Sequence, residues 1–319
     1  MKLVIVAGGT GGHIYPGLAL AEEFLKKNGQ TELLFVGTEN GLEKELIARE
    51  GYQLKLIKGR TILNSLFGVV QALKILRRFR PQVLVSTGGY ASLPVVVAAW
   101  LIKIPVFLLE QNVLPGRTNR LCRRLARQLF LSFAESLKYI DGLVTGNPVR
   151  RIISETVRPA AGDTRTVLVM GGSQGARRLN EAVLVAKRSL PPGIRLIHLV
   201  GKRDFGFFQI ESAANYLPIP YANNINDYLA QADLVISRAG ATAIAEFLVM
   251  GLPMVLIPYP FAADGHQSLN AQAVEAAGAA RVILDAEFNG AKLLEIIKAE
   301  PATYAKMSQA ARRLGRPDA

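Results

Sequence analysis

The 319-residue chain holds one cysteine, Cys122, so no disulfide can form within it and a reducing compartment is the expected setting. Histidine is nearly as scarce, with three residues, and no His, Cys or Asp grouping has metal-ligand spacing. No metal and no other cofactor is therefore expected. Aromatic side chains make up 7% of the chain and are not interleaved with the basic ones, which argues against a nucleic-acid partner. Long apolar runs are also missing. The most apolar stretch, 93–109, is interrupted by Pro94, Lys103 and Pro105. It falls short of the roughly 20 residues of a spanning helix and reads as a buried helix followed by a buried strand. The first strand pattern begins at Leu3, so no secretory leader is expected.

Half of the residues are hydrophobic and 20% are charged, enough for two cores of about 150 residues each. The net charge of +13 is uneven. Residues 1–150 carry 20 basic and 10 acidic side chains, against 18 and 15 in residues 151–319. A positive potential concentrated in one half points to an anionic partner there, such as a lipid surface or a phosphorylated substrate.

One pattern occurs twice. Leu3-Val4-Ile5-Val6-Ala7 runs into Gly8-Gly9-Thr10-Gly11-Gly12-His13, and Val167-Leu168-Val169-Met170 into Gly171-Gly172-Ser173-Gln174-Gly175-Ala176. A run that is apolar at every residue is a parallel strand covered on both faces. Leu18, Ala21, Phe24 and Leu25 then share one helical face, as do Leu179, Val183, Ala186 and Leu190. Further runs at 32–36, 83–86, 106–109, 195–200, 234–237 and 254–257 alternate with helical stretches. The pattern predicts an α/β protein of two Rossmann-like, doubly wound parallel-sheet domains facing a central cleft, with ligands at the carboxyl ends of the strands. The expected domains are 1–147 and 148–303, followed by a short C-terminal helix in 304–319 that crosses back to the first domain.

Glycine turns entering helices present backbone N–H groups and a positive dipole end to phosphate. A third such turn, Thr87-Gly88-Gly89-Tyr90, follows the strand 83–86. His13 lies at the mouth of the first turn, where an imidazole suits a general base. In the second half, Glu246 falls within two turns of a helix start. It either accepts hydrogen bonds from a ribose diol or only complements the helix dipole. The cluster Asp264-Gly265-His266-Gln267-Ser268-Leu269-Asn270 offers directional groups suited to sugar hydroxyls. Glu39, after the second strand, keeps a dinucleotide-dependent oxidoreductase open as an alternative.

These motifs resemble the MurG family of glycosyltransferases. The likeness rests on Gly8–His13 with Tyr15-Pro16-Gly17-Leu18, Thr87–Tyr90, Glu110-Gln111-Asn112 with Gly116 and Asn119, Gly146–Arg150, Gly171–Ala176, Arg238–Glu246, and His266-Gln267 with Asn270, nearly the whole chain. The resemblance implies a GT-B fold and an inverting, metal-independent transfer of N-acetylglucosamine from UDP-N-acetylglucosamine to lipid I, at the cytoplasmic face of the inner membrane. Inversion needs one base behind the attacking hydroxyl, for which His13 is the catalytic candidate and an acidic residue the alternative. The resemblance assigns Thr10, Gly11, Gly12, Asn112, Arg150, Ser173, Ala241, Thr242, Glu246, His266 and Gln267 to UDP-N-acetylglucosamine. Gly88, Gly89 and Tyr90 would form the acceptor and diphosphate loops, beside His13, Asn112 and Thr10–Gly12. Some members carry two glutamines where this chain has His266-Gln267.

A lipid acceptor accounts for the charge asymmetry. Ile62, Leu63, Leu66 and Phe67 stand near Lys74, Arg77 and Arg78, an apolar stretch with basic flanks that can meet an anionic membrane surface. An ordinary amphipathic helix with its apolar face in the core remains the alternative. Other cell-wall synthesis proteins are further candidate partners. A GT-B transferase with another sugar or lipid, and a non-catalytic UDP-sugar-binding protein, also remain open.

Overall fold

The computed structural model describes all residues except 40, 59–61, 160–161, 163, 173–174, 209–211 and 223, with only the backbone of 62–65, 207–208 and 301. The chain divides into two units, Met1–Arg151 with Arg316–Ala319, and Ile152–Gly315. The sequence placed the first division at 147/148. It also set the terminal segment apart, whereas the helix Pro301–Leu314 lies in the second unit and only the last four residues group with the first.

In the first unit the strands are β1 (Lys2–Val6), β2 (Glu32–Thr38), β3 (Gln53–Ile57), β4 (Val83–Ser86), β5 (Val106–Glu110), β6 (Gln128–Leu131) and β7 (Leu143–Val144). They form one sheet in the order β3-β2-β1-β4-β5-β6-β7, parallel throughout. The uninterrupted apolarity of β1 is explained by its two faces. Leu3 and Ile5 pack with Ile14, Leu18 and Ala21 of the helix Gly11–Lys27. Val4 and Val6 pack on the other side with Ala72, Leu76, Val95 and Val96 of the helices Ile62–Phe79 and Ser92–Leu101. Burying each such side chain contributes about 1.5–3 kcal/mol, so β1 anchors both layers.

The second unit repeats the plan with β8 (Arg165–Met170), β9 (Ile194–Leu199), β10 (Tyr216–Ile219), β11 (Leu234–Ser237), β12 (Met254–Leu256) and β13 (Ala280–Val282). The order is β10-β9-β8-β11-β12-β13, again all parallel. Val167 and Val169 of β8 pack with Leu179, Val183 and Ala186 of the helix Arg177–Ala186, and Tyr304 of the terminal helix joins the same core.

Both orders reverse direction beside the first strand of the unit, between β1 and β4 and between β8 and β11. At such a switch point the two connecting loops diverge and leave a crevice at the carboxyl ends of the strands. The topology therefore brings the turn after β1 next to the turn after β4, and the turn after β8 next to that after β11. Among the described residues no helix is long and apolar enough to cross a membrane.

Candidate active site

At the β1/β4 switch point, residues far apart in sequence hold His13 in one orientation. Its main-chain carbonyl accepts the Thr87 hydroxyl at 2.7 Å, and its ring Nδ1 lies 2.8 Å from the Thr87 carbonyl oxygen. Nδ1 is also 3.1 Å from Gln111 Oε1. A carbonyl oxygen only accepts, so Nδ1 carries the proton and donates. In the neutral ring this leaves the lone pair on Nε2. Gly88 makes room for the ring. Its φ of +98° is left-handed, and a Cβ there would lie 3.0 Å from His13 Cε1 and Nδ1. Gly88 is buried, Gly89 is partly covered and accepts the Ser92 N–H at 3.2 Å, and Tyr90 is 61% exposed.

Thr10 is exposed, and its carbonyl accepts the N–H groups of His13 and Ile14 at 3.1 and 3.2 Å, starting the helix in which Gly11 and Gly12 are the first two residues. The turn before it is tied down by an acid that sequence reading passed over. Glu43 is fully buried, and its Oε1 accepts from Gly9 N at 2.9 Å and from Thr38 N and Oγ1 at 3.0 and 2.9 Å. Glu39, the acid considered for a dinucleotide ribose, is exposed instead.

Asn112 sits in a loop organised by Glu110, 2% exposed, whose carboxylate accepts Asn112 N at 2.9 Å and Gly116 N and Asn119 Nδ2 at 2.8 Å. Gln111, between them, reaches His13, so the Asn112 loop and the histidine form one assembly. Arg150 also belongs to the first unit, its guanidinium 4.3 Å from the ring centre of Tyr15, two residues beyond His13.

In the second unit, Ala241, Thr242 and Glu246 lie on the helix Ala241–Val249, and all three are buried. The next helix, His266–Ala276, is fastened to the start of this one through Ala239. Gln267 Oε1 accepts the Ala239 N–H at 3.2 Å and the Tyr259 N–H at 2.9 Å, and Asn270 Nδ2 donates to the Ala239 carbonyl at 3.2 Å. His266 Nδ1 donates to the Ala263 carbonyl at 2.6 Å. Arg238 is turned inward, its Nη1 2.6 Å from Asp285 Oδ1 and 3.1 Å from the Ile257 carbonyl. Ser173 lies outside the described residues.

On the helix Ile62–Phe79, Ala72 and Leu76 are buried, while Leu66 and Phe67 are each 66% exposed. Lys74, Arg77 and Arg78 are exposed further along the same helix. The side chains of Ile62 and Leu63 lie outside the described residues. Among the described residues no group of three or more His, Cys, Asp or Glu is placed to hold a metal ion. Cys122 is buried, and burial pushes its thiol up to about 12, which leaves it inert.

Family models agree with this division. The glycosyltransferase family 28 N-terminal domain matches residues 3–131, and the family 28 C-terminal domain matches residues 166–318. With the two parallel sheets, they define a two-domain glycosyltransferase of the GT-B class. The chain is 39% identical to the UDP-N-acetylglucosamine–N-acetylmuramyl-(pentapeptide) pyrophosphoryl-undecaprenol N-acetylglucosamine transferase of Halothermothrix orenii, over 99% of this chain and 95% of the relative. It is 38% identical to the protein of the same name in Myxococcus xanthus, over 100% and 90%. The crystal structure of Acinetobacter baumannii MurG superposes with a TM-score of 0.81 at 26% identity, covering 100% of this chain and 97% of that one. The chain belongs to the MurG family.

Proposed function

We propose that the chain transfers N-acetylglucosamine from UDP-N-acetylglucosamine to undecaprenyl-diphospho-MurNAc-pentapeptide, the donor and acceptor named in its relatives, and that the 4-hydroxyl of the N-acetylmuramyl group receives it. The observation that carries the reading is the orientation of His13, with Nδ1–H held by Thr87 and Nε2 left as the basic nitrogen. In this reading Nε2 takes the proton of the acceptor hydroxyl as its oxygen attacks the anomeric carbon. The bond to the UDP oxygen breaks on the opposite face, and the configuration inverts.

Glu246 binds the uridine ribose, while Ala241 and Thr242 flank the nucleotide through the start of their helix. Arg150 and Ser173 offset the charge developing on the diphosphate, so no divalent cation is required. His266 and Gln267 address the sugar. Because Gln267 Oε1 is engaged by two backbone N–H groups, its Nε2 is the atom assigned to a sugar oxygen. Thr10–Gly12, Gly88–Tyr90 and Asn112 line the acceptor side.

The outward Leu66 and Phe67 with the basic side chains beyond them support peripheral docking on an anionic lipid surface, at the cytoplasmic face of the inner membrane, where a polyprenyl acceptor is embedded. The test is UDP release from UDP-N-acetylglucosamine with and without a short-chain acceptor glycolipid, with UDP-N-acetylgalactosamine and UDP-glucose as controls. Release that depends on the acceptor and is confined to the first donor is expected. Equal release from all three donors would sink the assignment.

A further inference from the structure

Beneath the glycine turn after β8 runs a chain of buried polar groups that the proposed chemistry does not use. Tyr216, His198 and Asn180 are at most 1% exposed, and Asp204 is 6% exposed. His198 Nδ1 is 2.9 Å from the Tyr216 hydroxyl, and His198 Nε2 is 2.9 Å from Asn180 Oδ1. Asn180 Nδ2 donates to Asp204 Oδ2 at 2.9 Å and to the Val200 carbonyl at 3.1 Å. One set of donors and acceptors satisfies every link. The tyrosine O–H donates to Nδ1, Nε2–H donates to the amide oxygen, and the amide N–H groups donate to the two oxygens at the end. Such a chain polarises in one direction, each bond strengthening the next.

The end of the chain lies against the turn. A Cβ built on Gly175, whose φ is +87°, would lie 2.5 Å from the Val200 carbonyl oxygen and 2.7 Å from Asp204 Oδ2. These are the two oxygens that the Asn180 amide holds. Gly175 in turn closes the loop by donating its N–H to the Gly172 carbonyl at 3.0 Å. Asp204 Oδ1 is paired with Arg203 Nε at 2.8 Å, so both carboxylate oxygens beside the turn have a donor.

We propose that Asn180, backed by His198 and Tyr216, is a positioning residue for the diphosphate-binding turn, fixing the two oxygens on which Gly175 rests. The proposal depends on the donor-site reading above, in which this turn meets the diphosphate and Glu246 meets the ribose. Without the Asn180 amide, the Asp204 carboxylate and the Val200 carbonyl lose a shared donor, and the negative charge beside Gly175 is less offset, which disfavours an anion bound at this turn. Affinity for UDP then falls while affinity for uridine, which lacks the phosphates, does not.

The experiment is calorimetric titration of the full chain with UDP and with uridine. For Asn180→Ala the ratio of UDP to uridine affinity should fall about tenfold, with the donor KM rising more than kcat drops. His198→Leu should follow it, and His198→Gln, which keeps an N–H for Asn180 Oδ1, should recover most of the ratio. Tyr216→Phe removes one hydroxyl only, and should lower the ratio by about two- to threefold; it answers the question even if Asn180→Ala does not fold. An unchanged ratio in Tyr216→Phe and Asn180→Ala, or a parallel fall for both ligands, overturns the proposal. Failure of the donor-site reading looks different: the wild-type chain would show no preference for UDP over uridine, or Glu246→Ala would leave both affinities unaltered.

Discussion

At the scale of single residues, His13 was legible because four glycines precede it at a helix start. Its orientation was not. Thr87 and Gln111 stand 74 and 98 positions away, and only the strand order brings them to the ring. Replacing His13 with Ala should lower turnover by about 10²–10⁴-fold, read as kcat with donor affinity retained; near-normal kcat would remove it from the role of base. The Asn180–His198 chain was invisible in sequence for a similar reason, since its members lie on two helices and two strands that only the fold assembles. It has a measurable consequence in acid. Burial, with Lys187 nearby, pushes His198 down to about 3. The unfolded chain binds a proton at this histidine below about pH 6.5 while the native chain does not. Stability should therefore fall as pH drops from about 6 toward 3, by up to about 1.4 kcal/mol per pH unit from this site. Urea unfolding at pH 7 and pH 5 should show a smaller loss in His198→Gln than in the wild type; equal losses would contradict a neutral buried imidazole.

At the scale of elements, the buried central strands were readable and the outer ones were not. β1, β4, β8 and β11 are apolar at nearly every position because helices cover both faces. β3, at an edge, reads Gln-Leu-Lys-Leu-Ile and alternates with solvent; β10 contains Pro218, and β7 is two exposed residues long. Segments that are half-exposed, as β3 is, or only two exposed residues long, as β7 is, or buried but short and interrupted by proline, as β10 is, lack the signal that marks a buried strand. The helix Ile62–Phe79 divides its apolar residues between the core and the surface. Ala72 and Leu76 enter the core, and Leu66 and Phe67 face outward. Leu66→Glu with Phe67→Glu should abolish cosedimentation with anionic vesicles while leaving the melting temperature nearly unchanged. Leu76→Ala should cost about 2–5 kcal/mol of stability and leave vesicle binding intact. The reverse outcome would mean that the exposed residues serve the fold rather than a membrane.

At the scale of the whole molecule, the same strand order occurs in both units, and each switch point gathers two strand-to-helix turns. That repetition was foreseen from the two strand–glycine–helix motifs. The division of the chain was less accessible, because the helix Pro301–Leu314 carries Tyr304 into the second core by tertiary packing that no local pattern announces. The charge carried by the proposed diphosphate ligands implies that turnover persists in excess chelator; loss of activity restored by magnesium would require a cation in the donor site. The most direct measurement is the structure of the glycolipid made from UDP-N-acetylglucosamine and a short-chain MurNAc-diphosphopolyprenyl acceptor, determined by mass spectrometry and NMR. One added N-acetylglucosamine in β linkage at the 4-position is the predicted product. An α linkage, or UDP released with only free sugar formed, would contradict inverting transfer to that hydroxyl.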